Sequence, residues 1–117
     1  MGYRSVGNPP IHSTGIGSTA IGVNASSGTA VADIINLQDR LYEVRFVVGA
    51  DTVAMWKLQH LTSASVIREQ KVVITGTNQS AEYVFTYKAE TNDIFRIAPA
   101  AAIGSSYSAS MQAEVYA

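Results

Sequence analysis

Leu41-Tyr42-Glu43-Val44-Arg45-Phe46-Val47-Val48 is the stretch on which the reading of this chain turns. In an extended backbone Tyr42, Val44, Phe46 and Val48 fall on one side, and Leu41, Glu43, Arg45 and Val47 on the other. One face is apolar and the other carries charge, as in a strand with one side on a core. Gly49-Ala50-Asp51 then turns the chain. Thr52 to Gln59 continues with Ala54, Trp56 and Leu58 on one side and Val53, Met55 and Lys57 on the other. Two such runs joined by a short turn predict a hairpin.

The same pattern extends downstream. Val66 to Thr75 is dense in β-branched residues and ends at the turn residues Gly76-Thr77-Asn78. Ala81, Tyr83, Phe85 and Tyr87 alternate with Glu82, Val84, Thr86 and Lys88, and Glu90-Thr91-Asn92-Asp93 leads into a strand from Asp93 to Ala98. After a loop from Pro99 to Gly104, Ser106 to Tyr116 places Tyr107, Ala109, Met111, Ala113 and Val115 on one face. With an opening strand around Val31 to Ile35, the chain has seven or eight strands at the spacing of a sandwich or barrel. The fold class is all-β, an antiparallel β-sandwich, and strand count alone leaves its topology open. Ile34, Leu37 and Leu41 fall at helical spacing, so Asp33 to Arg40 reads alternatively as a short helix. The expected core is Val44, Phe46, Val48, Trp56, Leu58, Tyr83, Phe85 and Met111.

Upstream, the pattern fails. Residues 1–28 hold Gly2, Gly7, Gly15, Gly17, Gly22 and Gly28 and the pair Pro9-Pro10, which prevents a helix from propagating. Such a segment loses too much chain entropy to order by itself. It reads as an extended N-terminal arm lying on another chain, and residues 29–117 as the sandwich domain. Tyr3, Arg4, Pro9, Pro10, Ile11, Ile16, Ile21 and Val23 are its candidate anchors. Gly17 to Ala25 resembles one head repeat of trimeric autotransporter adhesins, but a solenoid needs at least about three repeats to bury a core.

Composition removes several function classes. With a net charge of −1 and 15% charged residues, the eight dispersed Lys and Arg do not make a phosphate-binding surface, so nucleic acid is not expected. No apolar run reaches the roughly 20 residues that cross a bilayer, and Met1 to Ser5 lack the apolar region of a secretory signal. Neither a membrane nor export is expected. Without cysteine there are no disulfides or thiolate sites. The low charge predicts a surface covered in part by neighbours.

Catalytic patterns are missing too. His12 and His60 have no metal-ligand spacing and read as surface or capping residues. No serine sits in a Gly-x-Ser-x-Gly elbow. Glu43, Glu69, Glu82 and Glu114 lie within strands, pointing outward. Neither catalytic residues, cofactor, metal nor small-molecule substrate is expected. Trp56 with the tyrosines offers a sugar-stacking platform as one reading, and a place in the core as the other.

Leu41 to Val48, Trp56-Lys57-Leu58, Ser80 to Tyr87, Asp93 to Ile97 and Ser108 to Val115 together give a pattern that resembles the jelly-roll decoration, or cement, proteins of tailed-bacteriophage heads. The resemblance implies a jelly roll, a homotrimer, binding to the major capsid protein on the exterior of the virion, and synthesis in the host cytoplasm. A carbohydrate-binding β-sandwich or tail-fibre tip domain is the alternative, and a small β-sandwich enzyme the least favoured.

Overall fold

The structure, a computed structural model, describes residues 12–116, with side chains from Ile16 onward. Eight strands run β1 His12–Ala25, β2 Ala32–Ile34, β3 Leu41–Ala50, β4 Ala54–Leu61, β5 Ile67–Thr75, β6 Gln79–Lys88, β7 Ile94–Pro99 and β8 Ile103–Tyr116. They form two four-stranded sheets, A in the order β1-β8-β3-β6 and B in the order β2-β7-β4-β5. Every strand pairing is antiparallel. The pairs β1/β8, β2/β7, β3/β6 and β4/β5 make one long hairpin, which rolls so that β8 joins β3 and β7 joins β4. That is the jelly roll.

This topology corrects the expected hairpin of Leu41–Val48 with Thr52–Gln59. β3 and β4 lie in opposite sheets, and residues 51–53 form a corner between them. Both strands aim their apolar residues inward, Val44, Phe46 and Val48 from one side and Trp56 and Leu58 from the other, all fully buried. Alternation records which face is buried but not which sheet a strand joins. The hairpin lies one link later, where Thr62 Oγ1 accepts the N–H groups of Ala64 and Val66 in the β4–β5 turn.

The N-terminal boundary is corrected too. His12–Ala25 is not an arm outside the domain, because β1 pairs with β8 of its own chain, from His12 opposite Tyr116 to Ala25 opposite Ile103. β1 is thus the first rung of the rolled hairpin and the edge of sheet A beside β8. Ile16 packs partly against the core, whereas Ile21 and Val23 are exposed on the outer face. Tyr3, Arg4, Pro9, Pro10 and Ile11 lie outside the described residues.

No helix forms over 33–40. Asn36 takes a left-handed backbone (φ 59°), while Leu37, fully buried, exchanges backbone hydrogen bonds with Asn92 and Asp93. The core joins Tyr42, Val44, Phe46, Val48, Trp56, Leu58, Phe95, Ile97, Met111 and Val115. Two expected core residues differ from the reading: Tyr83 and Phe85 are only half-buried, because β6 is the edge of sheet A and closes one open side of the sandwich.

Candidate functional site

The outer face of sheet A is built from the residues that alternate with the core. Cross-strand register aligns Thr19, Ser110, Val47 and Glu82 in one row, and Gly17, Gln112, Arg45 and Val84 in the next. Gly17, Thr19, Arg45, Val47, Glu82, Ser110 and Gln112 line a hollow of about 400 Å³. Towards the β3–β4 corner, a second hollow of about 320 Å³ is lined by Gly49, Asp51, Asn78, Ser80, Ser106 and Ser108 among others. Short side chains at the centre of the sheet leave these depressions. Gly49 is required there: a Cβ would lie 2.6 Å from the Gln79 carbonyl oxygen and 2.9 Å from the Ser80 Cα.

The two rows carry hydroxyls, an amide and one ion pair around Val47, while Ile21, Val23 and Val84 are exposed on the same face beside them. Arg45 Nε donates to Glu82 Oε2 at 3.0 Å, with both side chains about half exposed. Thr19, Ser80, Ser108, Ser110 and Gln112 have no side-chain hydrogen bond among the described residues. They are free to donate to and accept from a ligand. No aromatic ring projects from these two rows.

The aromatic residues lie outside these rows, and of the two readings of Trp56 the structure bears out the place in the core. Trp56 is fully buried and donates from Nε1 to Thr75 Oγ1 at 3.1 Å. Tyr87 is buried between Phe85, His60 and Phe95. Burial, with the Glu69 charge as a smaller cause, pushes the Tyr87 phenol up to about 12.

His60 departs from its sequence reading, since it is neither surface nor cap. It is 1% exposed, and its Nε2 lies 2.8 Å from Asp93 Oδ2. Arg68 donates to the same carboxylate from Nε (2.9 Å) and from its terminal nitrogen (3.2 Å), and the Glu90 N–H adds a third donor at 3.0 Å. Burial works against the Asp93 charge, but the Glu90 N–H, Arg68 and His60 together hold the carboxyl below the usual range. His60 Nδ1 lacks a hydrogen-bond partner and sits 3.8 Å from Glu69. Among the described residues no group of three or more His, Asp and Glu is arranged to hold a metal ion. The cluster ties the β4–β5 hairpin to the β6–β7 turn, as a brace. Its signal in the sequence was weak, for no motif spaces His60, Arg68 and Asp93.

The outer face of sheet B differs. Asp33 and Arg96 form a two-pronged ion pair at 2.8 and 3.1 Å, and Gln59 bonds Gln70 at 2.7 Å. Beside them Val53, Met55, Val72 and Ile74 are exposed, with Met55 directly opposite Ile74.

No family model and no curated protein matches this chain. Among solved structures, the chain is similar to one titled "CBM4 structure and function", a carbohydrate-binding module, with a TM-score of 0.58 and 16% identity. The match covers 78% of this chain and 66% of that chain, and at this identity the likeness is one of fold: a β-sandwich.

Proposed function

We propose that the chain is a non-catalytic binding module that holds a glycan in the polar groove on the outer face of sheet A. One observation carries this: the groove gathers unengaged hydroxyl and amide groups around an Arg–Glu pair, on a face whose backbone is fixed by the sheet. Sugar hydroxyls both donate and accept, so they fit a surface that does the same. Recognition here is by the edge of the sugar, through hydrogen bonds, because no aromatic ring stands in the two rows of the groove. The fold shared with a carbohydrate-binding module adds support. Binding is measured on an array of polysaccharides and oligosaccharides, followed by titration calorimetry with the best ligand. Arg45→Ala combined with Gln112→Ala is expected to weaken that binding at least tenfold with stability retained. An array with no ligand, or a double variant that binds as well as the parent, removes this reading.

The second reading is a capsid decoration protein, bound as a trimer to the major capsid protein on the virion exterior. The exposed strip Val53, Met55, Val72 and Ile74 on the opposite sheet favours it, as an apolar contact surface on a weakly charged chain. Co-sedimentation with expanded phage heads tests it. Charged replacements at Val72 and Ile74 are expected to abolish the association, and unchanged association discards the role of the strip.

A further inference from the structure

Among the described residues sheet A ends at β6, whose ten residues pair with β3 in unbroken register while no described strand lies on its other side. Edge strands are usually protected by a proline, a bulge, a short length or an inward charge. β6 has none of these, and its two charged residues, Glu82 and Lys88, stand on the outer face. Its inward residues at the open side are Tyr83 and Phe85, both half-buried, and Val84 is exposed on the outer face. By contrast β5, the edge of sheet B on the same side, carries a register shift at Arg68.

We propose that two copies of this chain join edge to edge through β6, continuing sheet A across a two-fold axis. Antiparallel pairing of a strand with itself requires inward residues to face inward residues, so the two facing residue numbers have an even sum. Only charge then distinguishes the central registers. A sum of 164 sets Glu82 against Glu82. Sums of 166, 168 and 172 leave Glu82 and Lys88 without opposite charges. A sum of 170 places Glu82 opposite Lys88 of the second copy, twice by symmetry.

That register sets Phe85 against its own copy and Tyr83 against Tyr87 of the second copy on the inner side, with Val84 opposite Thr86 on the outer side. Aromatic cross-strand pairs and opposite charges each favour such a pairing. Glu82 and Lys88 are more than half exposed even while paired with Arg45 and Asp39, so both remain able to take a second partner. The axis stands normal to the sheet, so both polar grooves open on one face. Their β3 strands lie three strand spacings apart, about 14 Å. On the glycan reading, the dimer therefore engages one polysaccharide at two points and gains avidity.

The dimer is tested without any ligand, by sedimentation equilibrium of the full chain at micromolar concentrations. The parent is expected to be a dimer. Lys88→Glu sets like charges together twice and is expected to raise the dissociation constant at least about tenfold. Glu82→Lys is expected to do the same, and the two changes combined to restore dimerisation, with circular dichroism verifying the fold of each variant. A parent that sediments as a monomer or a trimer overturns the proposal. So does a Lys88→Glu chain that stays dimeric, or a combined variant that stays dissociated.

Discussion

The two outer faces of this sandwich are made by the same backbone device, and both expose apolar residues at their margins, but they differ in how their central polar groups are engaged. On sheet B the polar groups at the centre are engaged with each other, Asp33 with Arg96 and Gln59 with Gln70, and what remains exposed beside them is apolar. On sheet A the corresponding positions hold Thr19, Ser108, Ser110 and Gln112 with no side-chain partner among the described residues, around a depression. A polar group already paired inside the protein has little left for a ligand, and an unpaired exposed one exchanges water for ligand at small cost. Polar side chains are therefore engaged with each other at the centre of sheet B and left unengaged at the centre of sheet A, which is the difference that the proposed binding role uses.

The largest test of this division is Asp93→Ala. It removes the acceptor shared by His60, Arg68 and the Glu90 N–H, and leaves a buried imidazole and a guanidinium without their partner. Breaking a buried ionic cluster from one side costs about 3–5 kcal/mol. The urea midpoint is expected to fall accordingly, with groove binding at low denaturant unchanged. A loss below 1 kcal/mol would show that the cluster is not a brace.

Titration probes the same cluster with both signs. The folded Asp93 carboxyl lies below its ordinary value, so its stabilisation is complete above the unfolded aspartate pKa of about 3.9 and is lost as pH falls through the folded value. Tyr87 behaves oppositely. With its phenol raised from 10.0 to about 12, its contribution is complete below pH 10 and disappears as pH rises towards 12. Denaturant melts across both ranges are expected to show an acid loss that Asp93→Asn removes, and an alkaline loss that Tyr87→Phe removes. Persistence of either slope in its variant contradicts the assignment.

A smaller effect is expected where sheet A is tightest. Gly49→Ala brings a Cβ against the backbone of Gln79 and Ser80, which β3 and β6 relieve only by parting. The expected cost is about 1–3 kcal/mol by analogy with overpacked interiors, read as a lower thermal midpoint.

How much of this was written legibly in the sequence follows from burial. Val44, Phe46, Val48, Trp56 and Leu58 alternate because one face of each strand is dry, and they were read correctly. The partner sheet was not legible from them, since β3 and β4 alternate alike whether they pair or face each other. β1 was missed because an edge strand needs little apolar matter: Ile16, Ser18 and Ala20 turn inward while Ile21 and Val23 turn outward, so no period stands out. His60 was not legible because its hydrogen-bond partner Asp93 comes from the β6–β7 turn, 33 residues along the chain, with Arg68 supplied by β5. The groove was invisible for a different reason. Its residues are the ordinary polar halves of four strands, brought into rows only by the register of β1, β8, β3 and β6.

The smallest expected effect is the sharpest test of the comparison. Ser110→Ala on sheet A and Ile74→Thr on sheet B both alter exposed or half-exposed positions with no bonded partner, and each is expected to change stability by no more than about 0.5 kcal/mol. Their consequences for binding should nevertheless diverge. Ser110 sits between Thr19 and Val47 in the groove, so losing its hydroxyl removes one hydrogen bond to a ligand, roughly a fivefold weakening for a net worth near 1 kcal/mol. Ile74 is on the far side of the sandwich and leaves glycan affinity untouched. Equal effects on affinity from the two would mean that the faces are not functionally distinct. Loss of affinity from Ile74→Thr alone would move the binding surface to sheet B, where the apolar strip rather than the polar groove makes the contact.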